Sequence, residues 1–297
     1  MKYAILTHGG AASPAANSDG CSAAAEAGRA ILERGGDALS AALSATSLLE
    51  DDPRFNAGTG SNLRLDGGLI EMDASVMTSE ARFGAVACIQ SVKNPILVAA
   101  RVMDTPHLML AGDGATAFAR KLGFPEFDPT TAGARAKYAR AMAELRGAGD
   151  GAYASDAAPW KKAGLKPFWN FASEPPDCDT VGAVVRDGQG RFAATASTGG
   201  TVYMLRGRVG DSPLMGCGVY AGPHGAVAAT GVGEEIVRRF LAKTVYDWLA
   251  EGIAPARAAQ RGIAMFPDIV DIGILAVGRR GQAVASNRNM ASAQITG

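Results

Sequence analysis

The chain has 297 residues, 29 basic against 29 acidic side chains, and an apolar content of 47%. That length suits a single large α/β core, and zero net charge gives no reason to invoke nucleic acid or a membrane surface as a partner. No apolar run reaches membrane-spanning length, and Cys21, Cys88, Cys178 and Cys217 show neither CxxC spacing nor a nearby His, so free thiols in a reducing compartment are expected.

The first element is a strand at Tyr3 to Thr7 that runs into His8-Gly9-Gly10. With one basic residue, no h-region and no small-residue cleavage site it is not a signal peptide, and a cytoplasmic location is expected. Helices are predicted at Ser22–Arg34 and Asp37–Leu49, Ala-rich and separated by Gly35-Gly36. A polar, Gly-rich stretch follows from Asp51 to Gly68, then strands at Glu71–Met77 and Gly84–Gln90. Pro95–Met103 opens as a helix with Pro in its first turn, and Gly112–Leu122 reads as another.

From about Asp128 to Cys178 the periodicity dissolves, although Ala134 to Leu145 has the composition for a turn or two of helix. A loop of that length is abnormal inside a compact domain, where loops beyond about 12–15 residues are uncommon. It reads as a linker that becomes a free tail if the chain is cut at its end. Regular structure resumes with a hairpin from Thr180, a strand at Ala226–Thr230 and a helix over Glu234–Ala250. Ile236, Val237, Phe240, Leu241, Val245, Trp248 and Leu249 share one face of that helix. Asp271–Val277 and Gln282–Ser286 form a last hairpin. Strands and helices without strict alternation predict an α+β fold of stacked sheets covered by helices.

The most informative segment is 178–213. Two alternating apolar runs, from Thr180 and from Arg191, flank Asp187-Gly188-Gln189-Gly190, a strong hairpin signal. A turn over Asp187–Gly190 sets Arg186 against Arg191 and Thr180 against Ser197. One extra residue shifts the partner of Thr180 to Thr198. Arg208 and Asp211 follow on a Gly-rich loop at the same end. Hydroxyls beside a cation and an anion suit a small zwitterion such as an amino acid. Read alone, Thr180 is an ordinary β-branched strand residue. Thr230-Gly231-Val232-Gly233 precedes the amphipathic helix, with Thr230 at an N-cap-like position. It is no nucleotide fingerprint, because Ile236 stands where a third Gly is needed. His8, His107 and His224 are scattered, and His8 reads as a hydrogen-bonded structural residue.

These segments resemble the N-terminal-nucleophile asparaginases, a family of isoaspartyl peptidases (plant-type asparaginases), glycosylasparaginases and threonine aspartases. The likeness runs through Thr7-His8-Gly9-Gly10-Ala11, Phe55-Asn56-Ala57-Gly58-Thr59-Gly60, Glu71-Met72-Asp73-Ala74, Lys93-Asn94-Pro95, Val102 to His107, the Thr180 hairpin, Gly207 to Pro213 and Thr230 to Glu234. It implies a single domain with a four-layer αββα sandwich. It also implies self-cleavage between Asp179 and Thr180 into an α chain of 1–179 and a β chain of 180–297, and a dimer of such αβ pairs. Thr180 would be both nucleophile and, through its freed α-amine, base. That amine has an ordinary pKa of about 7.7–8.0, so no catalytic His is required.

The resemblance further implies that Thr198 hydrogen-bonds the nucleophile, Arg208 grips a substrate α-carboxylate and Asp211 takes the α-ammonium. Thr230 and the Gly231 amide would hold the oxyanion, Gly233 would face the amine, and Asn56 would lie near the site. The main-chain oxygens of Leu49, Glu50, Asp52, Phe55, Ala57 and Thr59 would hold a structural sodium ion; no cofactor is expected for catalysis. The implied substrates are L-asparagine or β-aspartyl dipeptides. Asp179 before the nucleophile is the glycosylasparaginase pattern, whereas Thr198-Gly199-Gly200 is the plant-type one, so glycoasparagine stays open as a substrate. An unprocessed binding protein is the alternative outside the enzymes.

Overall fold

A computed structural model describes residues 2–65, 68–145 and 180–297. Asp179, the proposed cut before Thr180 and Cys178 lie outside the described residues. The strands are β1 (Ala4–His8), β2 (Met72–Thr78), β3 (Phe83–Ile89), β4 (Met109–Ala111), β5 (Thr180–Arg186), β6 (Phe192–Thr198), β7 (Val219–Gly222), β8 (Gly225–Gly231), β9 (Ile272–Gly278), β10 (Gln282–Ser286) and β11 (Ser292–Thr296). Helices are α1 (Ser18–Glu33), α2 (Ala38–Asp51), α3 (Pro95–Val102), α4 (Gly112–Lys121), α5 (Ala132–Leu145), α6 (Gly233–Arg239), α7 (Leu241–Ala250) and α8 (Pro255–Ile263). One sheet has the order β11-β1-β5-β6-β2-β3-β4 and the other β10-β9-β8-β7. All neighbours are antiparallel except β3 and β4.

Alternation along the strands decides which side chain meets which layer. Val184, Ala194, Ala196 and Leu6 of the larger sheet pack against Val219, Ala226, Ala228, Leu275 and Val277 of the smaller one. The opposite parity, Val181, Ala183, Val185 and Ala193, packs on Ala24, Ala25, Ala41, Ala45 and Leu49 of α1 and α2. On the far side, Val227, Ala229, Ile272 and Ile274 meet Ile236 of α6, Leu241 and Val245 of α7 and Ala258 of α8. Among the described residues no helix is long and apolar enough to cross a membrane, and Cys21, Cys88 and Cys217 are free thiols.

Four expectations change. The Thr180 hairpin closes through Asp187 and Arg191, with the Asp187 amide donating to the Arg191 carbonyl at 3.0 Å and Gly190 left-handed between them. The loop is therefore one residue longer than the simpler turn, Arg186 pairs with Phe192, and Thr180 pairs with Thr198, not Ser197. The Asp187 carboxylate holds this loop by accepting from the Gln189 and Arg191 amides, each at 2.9 Å. The helix expected over Glu234–Ala250 breaks at Phe240, whose φ of 46° and ψ of 49° end α6 and start α7. Thr230 is not itself the N-cap: it lies within β8, and Val232 holds the N-cap position of α6. Finally, Ala132–Leu145 is a 14-residue helix, longer than the turn or two expected. Thr131 starts it by accepting from the Ala134 amide at 3.1 Å, and Ala141 packs on Val202 and Tyr203 beyond β6.

Candidate active site

β5 and β6 run side by side in the middle of the larger sheet, which places Thr180 and Thr198 directly opposite each other. Residues facing each other across antiparallel strands hold their Cβ atoms about 4.5–5.5 Å apart. Both threonines share the parity of Val184, Ala194 and Ala196, so their side chains point between the sheets. Thr230 on β8 shares the parity of Ala226 and Ala228 and faces them from the smaller sheet. Thr180 and Thr198 thus meet at one end of the inter-sheet layer; Thr230 is not among the residues that line the pocket there, whereas its neighbour Gly231 is.

A small pocket opens there, lined by Thr180, Thr198, Gly200, Thr201, Arg208, Asp211, Gly231 and Gly233. Thr180, Thr198 and Asp211 are nearly buried, at 5%, 5% and 4% exposure. The Thr198 hydroxyl accepts from the Gly200 amide at 3.0 Å, which fixes its side chain at the strand end. Thr230 accepts from the Ala11 amide at 3.2 Å, tying the first Gly-rich loop to the same corner. Gly233 leaves room for both charged groups: a Cβ there would stand 2.8 Å from Arg208 Nη2 and 3.0 Å from Asp211 Oδ1, so either side chain would have to shift.

Arg208 and Asp211 supply the charge. The Arg208 fork is bidentate to Glu234, Nε to Oε1 at 2.8 Å and Nη2 to Oε2 at 2.6 Å. Burial works to lower the Arg208 pKa, but the Glu234 hydrogen bonds and charge more than offset it, and the guanidinium stays protonated. Burial pushes the Asp211 carboxyl up to about 7, against the opposing pull of Arg208. Asp211 Oδ2 is buried with no hydrogen-bond partner among the described residues. A buried carboxylate oxygen without a donor is costly, and this one lines the pocket where an ammonium would supply the donor.

His8 ends β1 beside β5, paired with Gly182. Its Nδ1 accepts from the Gly10 amide at 3.2 Å, and burial pushes its pKa down to about 3, so the ring is neutral with its proton on Nε2. Nδ1 is hydrogen-bonded as expected, whereas Nε2 is buried with no hydrogen-bond partner among the described residues. Asn56 does not line the pocket. Its amide sits behind the turn after β6, donating to the Gly200 carbonyl, while its Oδ1 accepts from the Asn62 amide at 2.9 Å. Gly200, Thr201 and Glu234 complete the site without having been assigned to it from sequence. Glu234 stood within the Thr230–Glu234 motif, whereas Thr201 carries no motif signal at all.

At the loop expected to hold sodium, main-chain oxygens converge on two glycines. A Cβ on Gly58 would lie 2.6 Å from the Glu50 carbonyl oxygen and 2.8 Å from that of Lys93; one on Gly60 would lie 2.6 Å from the Pro53 oxygen and 2.9 Å from the Phe55 oxygen. Thr59 Oγ1 is buried without a partner among the described residues. The carbonyls of Leu49, Glu50 and Asp52 accept one loop amide each, which leaves each a second lone pair. Oxygen-only donors suit a hard cation; of the six residues expected to supply them, Glu50 and Phe55 have main-chain oxygens beside the two glycines. No group of three or more His, Cys, Asp or Glu able to hold a metal occurs among the described residues.

Comparison with known proteins decides the family. The family profile described as Asparaginase matches residues 1–296. A plant-type L-asparaginase of Pyrococcus abyssi is 40% identical over 88% of this chain and 84% of its own length. An isoaspartyl peptidase/L-asparaginase of Danio rerio is 37% identical over 91% of this chain and 84% of its own. The chain belongs to the asparaginase family. It is a hydrolase. Within the family the likeness is wider than one branch, since an N(4)-(beta-N-acetylglucosaminyl)-L-asparaginase of Elizabethkingia miricola is 32% identical over 85% of this chain and 71% of its own.

Proposed function

We propose that this chain is a self-processing threonine amidohydrolase that cleaves the β-amide of L-asparagine or of β-aspartyl dipeptides. One observation carries the reading: Thr180 stands opposite Thr198 on the inter-sheet face, in a pocket that also holds Arg208 and Asp211. The helix–sheet–sheet–helix packing of the three apolar clusters supports a four-layer αββα sandwich.

In maturation the Thr180 hydroxyl attacks the Asp179 carbonyl carbon, the peptide nitrogen leaves as the α-amine of Thr180, and water opens the resulting ester. The two pieces stay together because β5 and β6 of the second lie between β1 and β2 of the first. In turnover the α-amine takes the hydroxyl proton as Thr180 Oγ1 attacks the substrate β-carbonyl carbon. The oxyanion is held by donors at Thr230 and Gly231. Collapse expels ammonia or an amino acid, which carries away the proton, and leaves a β-aspartyl ester on Thr180. Water attacks that ester and releases aspartate. Arg208 must exchange at least part of its Glu234 contact for the substrate carboxylate. Arg208 and Asp211 read only the aspartyl half, so the leaving group is chosen elsewhere. Assaying L-asparagine, a β-aspartyl dipeptide and glycoasparagine side by side tests the reading. Hydrolysis of glycoasparagine alone would move the protein to the other branch, and an intact, inactive chain would make it a binding protein.

Asp211 gives this reading a pH signature. Its carboxyl ionises as pH rises through about 7, and only the anion attracts a substrate ammonium. The Thr180 amine must also be unprotonated, with an ordinary pKa of about 7.7–8.0. Two groups must therefore each lose a proton, and kcat/KM should rise with pH at a slope approaching two below neutrality. Asp211→Asn should reduce that slope to one. An acid limb identical in both proteins would remove Asp211 from substrate binding.

We also propose that the loop of Leu49, Glu50, Asp52, Phe55, Ala57 and Thr59 binds sodium for structural support only. A ligand present at ten times its Kd stabilises by about 1.4 kcal/mol. For a domain of this size that is a Tm shift of about 3 °C. Exchanging sodium for a bulky organic cation at constant ionic strength should lower Tm by that amount. An unchanged Tm in scanning calorimetry would sink the sodium assignment.

A further inference from the structure

Strand β2 presents its alternate residues to the loop that grips the substrate. Met72, Ala74 and Val76 point into the core formed with α3, so Asp73 and Ser75 point the other way, between the sheets, and Glu71 stands just before the strand. There each meets the backbone around Arg208 and Asp211. Glu71 Oε2 accepts from the Gly207 amide at 2.7 Å. Asp73 Oδ2 accepts from the Gly210 amide at 3.2 Å. The Ser75 hydroxyl donates to the Ser212 carbonyl. The contacts follow one another along both chains, 71 with 207, 73 with 210 and 75 with 212, so the loop lies along the strand like an added rung.

Asp73 occupies the central place. It pairs across the sheet with Thr198, which pairs with Thr180, so the three residues form one row over β5, β6 and β2. With strands about 4.8 Å apart, Asp73 lies about 10 Å from the nucleophile, too far to touch reacting atoms. Its other oxygen, Oδ1, accepts from the Cys88 amide at 2.8 Å, at a register shift between β2 and β3 where Cys88 is left-handed with φ 51°. A fully buried Arg64 crosses beneath, with Nε 3.3 Å from Glu71 Oε2 and Nη1 3.2 Å from the Gly199 carbonyl. The same network therefore braces the turn after Thr198.

We propose that Asp73 is a positioning residue that sets the substrate clamp by fixing the loop at Gly210, after Arg208, while Glu71 holds it at Gly207, before Arg208. The inference rests on the reading of Arg208 as the carboxylate grip. An Asp is suited to the task because both its oxygens accept, and here two backbone amides need acceptors. Asn would turn a donor toward one of them, leaving a buried amide unpaired and freeing the loop on that side.

The test is a double-mutant cycle of Asp73→Asn with Arg208→Lys, read in KM, kcat and the half-time of cleavage before Thr180. Losing a hydrogen bond to a charged group costs about tenfold or more, so Asp73→Asn should raise KM for L-asparagine about tenfold, with a smaller fall in kcat. Maturation has no substrate carboxylate to grip and should keep its half-time. In the Arg208→Lys background, Asp73→Asn should add less than about twofold, because the grip it positions is already lost. Effects that multiply, or an unchanged KM in Asp73→Asn where Arg208→Lys raises it, would overturn the proposal while leaving the site reading intact. An unchanged KM in Arg208→Lys itself would instead overturn the site reading. If Asp73→Asn does not fold, Ser75→Ala runs the same cycle with a single hydroxyl removed, and additive effects there count against the proposal in the same way.

Discussion

A Thr180→Ala chain is expected to remain folded at its full 297 residues, uncleaved and inactive. One hydroxyl is asked to do two jobs, attack on the Asp179 carbonyl and attack on the substrate, and both disappear with it. Loss of a nucleophile in hydrolases of this kind lowers kcat by roughly 10³- to 10⁶-fold, with binding left largely in place. Folding should survive, because Ala keeps the Cβ of a strand residue and removes only a methyl and a hydroxyl from the pocket end of β5. Thr180→Ser keeps the hydroxyl and should retain part of both activities. Intact-mass measurement and an ammonia-release assay on the same preparation decide it. Two fragments from Thr180→Ala would mean that the cut, if it occurs there, does not depend on this side chain.

Arg208→Lys should raise KM for L-asparagine by about tenfold to a hundredfold, the range for losing one charge-assisted hydrogen bond. The reason is geometric. The guanidinium already grips a carboxylate with two parallel hydrogen bonds, in the Glu234 pair, and an ammonium offers a point charge without the fork. A loosened grip also misplaces the β-carbonyl relative to Thr180, so a smaller fall in kcat is expected. Maturation should run nearly normally, since no substrate carboxylate takes part in it. Steady-state kinetics with the maturation half-time measured in parallel settles the matter. Unchanged KM and kcat would make Arg208 a bystander and move the substrate pocket elsewhere.

The residue order alone carried much of this site. Two alternating apolar runs around a Gly-rich turn placed Thr180 and a residue near 198 at one end of a hairpin. Motifs in a shared order located Arg208, Asp211, Gly231 and Gly233, and all four line the pocket with the two threonines. What sequence left undecided has identifiable physical causes. The partner of Thr180 hung on one residue of loop length, because strand side chains alternate with period two and a one-residue slip reverses the face. Only the Asp187–Arg191 closure put Thr198, and not Ser197, between the sheets. The apolar stripe from Ile236 to Leu249 reads as continuous because Leu241, Val245 and Leu249 still face the core beyond a single left-handed residue, and hydropathy does not register a dihedral angle. Glu71, Asp73 and Ser75 show the widest gap. Their partners are backbone amides and a carbonyl some 136 or 137 positions away, and a side chain that holds backbone leaves no mark on the residue type it holds. Local pattern and motif could determine which groups are present. Only the packing of β2 against the loop beyond β6 decided which of them hold the backbone around Arg208 and Asp211.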